Sequence, residues 1–328
     1  MKWDKKRVLV TGAGGFIGSH LVEELLRRQA DIRAFVRYNS RNNWGALEYL
    51  PKDQLSKVTV KMGDLRDADA VRNAVKDRDI IFHLGALIGI PYSYVNPRDV
   101  VETNIIGTLN ILQAARDFCP EKVIHTSTSE IFGTAQYIPI DEKHPINPQS
   151  PYAASKAGAD FLALSFYRTF DLPVAILRPF NTYGPRQSLR AVIPTIITQA
   201  LTSNVVKLGA LTTTRDLTFV KDTANGFIKL AESSVLGQVV NIGSNSEISI
   251  GELARKIIAL IGKKVDIISE EARKRPEKSE VERLRIDNSS AKSLIGWATK
   301  YTLDEGLMET IAWIKNHLEL YKPEQYVI

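Results

Sequence analysis

Short runs of apolar, mostly β-branched residues recur through the first half of the chain, at Val8–Val10, Ile32–Val36, Val58–Met62, Ile80–Leu84 and Val123–Thr126. Between them the apolar positions spread to helical spacing over Ile17–Arg28, Ala70–Val75 and Val100–Phe118. A near-continuous apolar strand is one buried on both faces, and the intervening helices supply the cover. The pattern predicts a doubly wound α/β fold with a parallel sheet. Alternation continues with a helix over Pro151–Phe170 and a strand over Val174–Leu177. After about residue 180 the texture changes: loops rich in Pro, Gly and Thr (NTYGPRQ, GALTTTRD) break up shorter elements, and helices over Ile250–Ile261 and Leu303–His317 close the chain. No internal repeat or low-complexity linker separates the parts. We therefore expect a dinucleotide-binding domain over 1–180 and a smaller C-terminal α/β lobe over 181–328, closely packed, with the chain crossing between them.

Composition narrows the partners. The 328 residues are 44% hydrophobic and 24% charged, which suits a folded chain with a sizeable core. A single cysteine, Cys119, excludes an internal disulfide framework. The net charge of +6 is dispersed: clusters such as Lys5–Arg7 and Arg273–Arg275 alternate with acids, without the aromatic-basic interleaving of an RNA-binding sheet. That balance points to a small anionic ligand rather than nucleic acid. The leading apolar run is too short for a signal peptide, and no window reaches the ~18 apolar residues of a membrane span, so a soluble cytoplasmic protein is expected. His20, His83, His125, His144 and His317 show no paired ligand spacing, and no metal is expected.

Residues 8–18 read VLVTGAGGFIG, a strand running into Gly12, Gly15 and Gly18 and then a helix opening at Phe16 and Ile17. Gly12 serves a tight turn, Gly15 lets the backbone approach a pyrophosphate, and the helix aims free N–H groups at the anion. The strand-turn-helix context marks this glycine pattern as a dinucleotide site. Further on, Ser150 and Pro151 are suited to the N-cap and first position of a helix, which sets Tyr152 and Lys156 one turn apart on one face. An ammonium close to a phenol favours phenolate and lowers its pKa, so Tyr152 is the candidate base for taking a hydroxyl proton while hydride leaves.

These features together resemble the extended short-chain dehydrogenase/reductase family, whose Rossmann fold binds a dinucleotide. The G-x-x-G-x-x-G spacing and the Y-x-x-x-K pair of Tyr152 and Lys156 carry the resemblance, and it extends over essentially the whole chain. It implies that Asp64 and Leu65 lie against the adenine, that Leu84, Gly85 and Ala86 lie beside the cofactor, and that Asn104 is the family's helix asparagine. It also implies that Arg178-Pro-Phe-Asn181 with Tyr183-Gly-Pro forms the sugar-nucleotide loop. By motif position, Arg215 and Arg283, with Asn181 and Arg190, are expected on the substrate pyrophosphate, where an arginine fork suits phosphate. At the end of the second strand stands Arg37, where NAD-preferring members carry an acid; NADP is favoured and NAD remains acceptable. The cofactor is expected to stay bound and be regenerated each turn.

The segment His125-Thr-Ser-Thr-Ser-Glu130 ends a predicted parallel strand, the edge at which ligands bind such sheets. Thr128 could bond the sugar 4-hydroxyl. Glu130 is unusual, because oxidation and reduction alone need no carboxylate there. Once C4 is a ketone the C5 hydrogen is acidic, and Glu130 can remove it as the 6-hydroxyl leaves as water. The S-T-S-E segment resembles GDP-mannose 4,6-dehydratases, while VRYNSRNNWG, RPFNTYGPRQSLRAVIP and RPEKSEVERLRIDNSSAK resemble the N-acetylglucosamine 4,6-dehydratases of legionaminic-acid pathways. Whether Glu130 acts as both base and acid, or Ser129 relays a proton, stays open. A nucleotide-sugar 4,6-dehydratase is the leading expectation. UDP-glucuronate decarboxylase, 4-epimerase and a non-enzymatic dinucleotide sensor are the alternatives, and the retained Tyr/Lys pair argues against the last. Several family members dimerise through a four-helix bundle, so a homodimer through Val100–Phe118 and Tyr152–Phe170 is expected.

Overall fold

The computed structural model describes residues 2–273 and 276–321. Arg275, which opens the RPEKSEVERLRIDNSSAK resemblance, lies outside them. The labelled elements are β1 (Arg7–Thr11), α1 (Phe16–Arg27), β2 (Asp31–Arg37), β3 (Val58–Gly63), α2 (Ala68–Val75), β4 (Ile80–His83), α3 (Gly107–Phe118), β5 (Lys122–Thr126), α4 (Pro151–Phe170), β6 (Val174–Pro179), α5 (Val192–Thr202), α6 (Val220–Glu232), β7 (Val239–Ile242), α7 (Ile250–Ile261) and α8 (Leu303–Asn316). Seven strands form one parallel sheet in the order β7-β6-β5-β4-β1-β2-β3. The strand order reverses between β1 and β4. A crevice opens there at the carboxyl ends of the strands, where such sheets bind ligands.

The central strands β1, β4, β5 and β6 are buried almost throughout because both faces are covered, while β2 and the edge strand β3 carry polar residues such as Arg33 and Lys61. Val8 and Val10 of β1 join one core with Leu21, Leu25, Phe82, Phe227 and Trp297. Leu9 points the other way, into a core with Ile81, Ile111, Ala163 and Phe166. The alternation follows from the two-residue period of a strand. A third core, built from Tyr183, Ile193, Ile197, Phe219, Leu253 and Leu307, holds the smaller lobe together, and Phe16 and Ile17 of α1 pack against it.

The two lobes are not consecutive segments. After the smaller lobe begins, the chain returns to the sheet: α6 packs beside α1, and β7 pairs with β6 from Val239 to Ile242. The helix expected over Val100–Phe118 is also subdivided, into Pro97–Val101, a π-helical turn over Glu102–Ile106, and α3. The extra residue of a π turn shifts the face on which side chains fall, and Asn104 sits within it.

Candidate active site

Across the carboxyl ends of the strands runs a cleft of about 1080 Å³, bounded by both lobes. Its dinucleotide half is built largely of backbone. Gly12 has φ of +67°, and a Cβ there would lie 2.8 Å from the Gly85 nitrogen, so the turns after β1 and β4 touch main chain to main chain. Only glycine meets both demands. Thr11 Oγ1 accepts from the Gly85 N–H at 3.0 Å and locks the two turns. Gly15 caps α1 without a side-chain partner, leaving the helix N-terminus facing the cleft, as an anion site requires. Phe16, Ile17 and Gly18 complete this wall. The residues present therefore fit a dinucleotide pyrophosphate.

Gly14 went unread in the sequence. A Cβ on it would lie 2.6 Å from the Trp44 carbonyl oxygen, and its own carbonyl accepts from Ala46 N–H at 2.8 Å. The segment after β2 is thereby seated on the glycine loop, and Tyr49 at its far end packs edge-on against Trp313 of α8. The only hint was a third glycine in GAGG, which turn chemistry alone does not explain. Arg37, Asp64, Leu65, Leu84, Gly85 and Ala86 line the same half. Asp64 is paired with Arg66 at 2.6 Å, and that hydrogen bond holds its carboxyl below the usual range.

In the middle of the cleft the Ser150 side chain caps α4 by accepting from Ala153 N–H at 3.1 Å, with Pro151 following. Tyr152 and Lys156 then lie one turn apart, both buried and both lining the cleft. Thr128, Ser129 and Glu130 form the facing wall. Thr128 begins a 3-10 turn over Ser129–Phe132, accepting from Glu130 N–H at 3.3 Å, and its side chain hydrogen-bonds the Tyr152 phenol. The lowered phenol pKa expected from the Lys156 charge is not the net outcome. Burial dominates and pushes Tyr152 up, the Thr128 bond opposes it, and the Glu130 charge raises it further. Burial likewise pushes the Lys156 ammonium down, to about 8.

Asn104, the family's helix asparagine and by that resemblance expected among the cofactor-binding residues, is tied into the protein itself. Its amide accepts from Leu87 N–H at 2.8 Å and donates to Leu87 O and to Ser155 Oγ, each at 2.9 Å. Buried and fully engaged, it ties the loop after β4 to α4, and the cleft wall next to it is Thr103. Through Ser155 it braces the helix that carries Tyr152 and Lys156.

Of the four expected pyrophosphate residues, Asn181, Arg190 and Arg215 line the cleft. Asn181 Nδ2 is buried with no partner, a donor held ready for an acceptor. Arg215 is fixed by the Thr214 and Val281 carbonyls at 2.9 and 2.8 Å and by Glu280 at 3.1 Å. Arg283 does not reach the cleft: Glu247 holds its exposed guanidinium in an ion pair, with Nε at 2.9 Å. The local acid captured it. Arg186, absent from the sequence reading, does line the cleft, bonding Glu23 of α1 at 3.0 Å. His20, kept neutral by burial, meets the Pro185 carbonyl at 3.0 Å. The Pro185-Arg186 segment is thus stitched to α1. Among the described residues no cluster of His, Cys, Asp and Glu could hold a metal, and no helix is long and apolar enough to cross a membrane.

The model of the GDP-mannose 4,6 dehydratase family matches residues 9–310. A putative UDP-glucose 4-epimerase of Methanocaldococcus jannaschii is 33% identical, covering 94% of this chain and 99% of the relative. The dTDP-glucose 4,6-dehydratase of Streptomyces antibioticus is 30% identical over 96% of this chain and 94% of its own. Among solved structures, a double mutant of DesIV, the dTDP-glucose 4,6-dehydratase of Streptomyces venezuelae, was determined with NAD bound. It superposes with a TM-score of 0.86 at 28% identity, covering 97% of this chain and all of that one. With a glycine-rich turn opening α1, a Tyr/Lys pair one turn apart on α4 and a seven-stranded parallel sheet, this chain belongs to the GDP-mannose 4,6-dehydratase family of extended short-chain dehydrogenases/reductases.

Proposed function

We propose that the protein is a nucleotide-sugar 4,6-dehydratase. The observation that carries this reading is Glu130: a carboxylate in the cleft wall beside Thr128, near enough for its charge to act on the Tyr152 phenol. A dinucleotide held by the turn at Gly12–Gly15 and the N-terminus of α1 would supply reversible hydride transfer, from C4 and back to C6. Tyr152 takes the C4 hydroxyl proton, with Thr128 bonding the same oxygen. The charge of Lys156, when protonated, favours the phenolate. Glu130 removes the proton from C5, which the C4 ketone has made acidic. The C6 hydroxyl leaves with a proton from Glu130 or Ser129, and as hydride adds to C6 a proton exchangeable with solvent adds to C5, so the sugar loses one water in all. Asn181, Arg190 and Arg215 hold the substrate pyrophosphate.

Apolar Leu87, Ile88 and Ile90 line the cleft, and Ile88 is 61% exposed. An N-acetyl substituent would cover that surface, which favours an NDP-N-acetylglucosamine over an unsubstituted hexose. Arg37, where an acid would bond a free ribose, favours NADP; the NAD in the DesIV structure marks the alternative, and mass analysis of released cofactor decides. We place the enzyme in the cytoplasm as a homodimer through α3 and α4, on which Phe161 is 58% exposed; light scattering tests the dimer.

Epimerisation is the second reading, favoured by the Methanocaldococcus jannaschii relative. Mass spectrometry separates the reactions, since dehydration removes 18 Da, decarboxylation about 44 Da, and epimerisation nothing. Glu130→Gln keeps shape but cannot take a proton. It is expected to accumulate reduced nicotinamide without dehydrated product, and wild-type product formed in deuterium oxide is expected to carry deuterium at C5. Normal turnover in Glu130→Gln, or no deuterium at C5, overturns the proposal.

A further inference from the structure

Behind the catalytic pair lies a set of buried polar groups that this reaction leaves without a task. Asp160 continues the helix face of Tyr152 and Lys156 by one more turn, and all three side chains are buried. Its Oδ2 accepts from Ser127 Oγ and from the Arg178 guanidinium, the latter at 3.0 Å. The Arg178 fork also reaches Ser127 Oγ at 3.1 Å and Asn241 Oδ1 at 3.2 Å, and it lies over the Phe132 ring. Asp160 Oδ1 faces His125 Nε2 at 3.2 Å. His125 of β5, Ser127 just after it and Arg178 of β6 thus converge on one carboxylate of α4, and Asn241 of β7 braces the guanidinium.

A buried ion pair seldom stabilises a fold better than apolar packing of the same volume. Lys156, one turn from Asp160 and 4% exposed, shows a use for this one. Burial drives that ammonium toward neutrality, and Asp160 is the charge that opposes it. The other titratable groups around it offer no substitute. His83 on β4 and His125 on β5 are pushed toward neutral by burial, Arg178 on β6 is a cation, and Glu130 stands across the cleft beside the phenol.

We propose that Asp160 is a positioning residue of this active site, whose buried carboxylate is the counter-charge that keeps Lys156 an ammonium beside Tyr152. Ser127 and Arg178 hold that carboxylate in its orientation. The inference rests on Tyr152 and Lys156 being the oxidising pair, but its primary test uses no substrate, so it can fail separately from that reading.

Asp160→Asn alone strands Arg178, so the informative variants are the double substitution Asp160→Asn/Arg178→Gln and the charge-preserving Asp160→Glu. Lys156 is titrated directly by NMR of side-chain-labelled lysine, its signal assigned by loss in Lys156→Met. In the double variant the Lys156 midpoint is expected to fall by about one to two pH units, the usual effect of removing a close opposite charge. Single-turnover nicotinamide reduction at pH 8 should drop ~10-fold, with KM for the sugar nucleotide unchanged. Asp160→Glu should keep the midpoint close to wild type. An unchanged midpoint in the double variant, or equal shifts in both variants, overturns the proposal. A double variant that does not fold also overturns it, by making the pair structural.

Discussion

The two halves of the cleft are built from different materials. The dinucleotide half is main chain brought close to main chain: Gly12 against Gly85, Gly14 against Trp44, and a helix N-terminus facing open space. The half proposed for the sugar nucleotide depends on side chains from short strands and loops, for which neighbouring acids compete: Glu280 pairs with Arg215, and Glu247 holds Arg283 away from the cleft. Backbone contacts of the first kind admit one residue type and show in a sequence. Side-chain placement of the second kind depends on which acid folds alongside, and does not.

The sharpest way to break this contrast is at Gly12. In Gly12→Val the new side chain meets the Gly85 backbone at under 3 Å, and φ of +67° is closed to a β-branched residue. Strain of this kind costs on the order of 1–3 kcal/mol where the surroundings cannot give. The variant is expected to purify without dinucleotide and without measurable turnover. Cofactor absorbance at the wild-type level would show that the loop is less exacting than its geometry. Tyr152→Phe comes next. Phenylalanine retains the packing against Ile90 and Val100, so cofactor content should match wild type. Loss of general-base assistance should lower turnover by ~10²–10⁴-fold. Near-normal turnover would remove Tyr152 from the chemistry.

The same contrast explains what could be read in advance. The parallel sheet and both its cores follow from near-continuous apolar runs in the strands, and Ser150-Pro151 announces the start of α4. That the chain crosses between lobes was expected, but which elements return, α6 and β7, was not legible at any one residue, because a change of texture does not show a strand that pairs across about sixty residues of intervening chain. Asn104 was found by motif, yet its task turned on a π turn that shifts it toward Leu87 and Ser155. Tyr152 and Lys156 were found by spacing. Their proton affinities were not, since the sequence shows that an ammonium is near but not that burial outweighs it.

The smallest effects sharpen the comparison most, because they set two arginines with the same sequence credentials against each other. Arg215 is nearly buried and aimed along the cleft by two carbonyls and Glu280. A hydrogen bond from such a cation to a phosphate contributes ~1.5–3 kcal/mol, so Arg215→Met should raise KM for the sugar nucleotide by roughly 10- to 100-fold. Turnover at saturation should change far less, since the contact is made equally in ground and transition states. Arg283 is exposed, and an exposed ion pair such as the one it makes with Glu247 is typically worth ~0–1 kcal/mol. Arg283→Met should therefore leave KM within about twofold and thermal unfolding nearly unmoved. Steady-state kinetics on the two variants at one ionic strength distinguishes the cases. Equal KM increases would mean that Arg283 leaves Glu247 when substrate arrives, and that the sugar-nucleotide half is assembled by its ligand rather than before it.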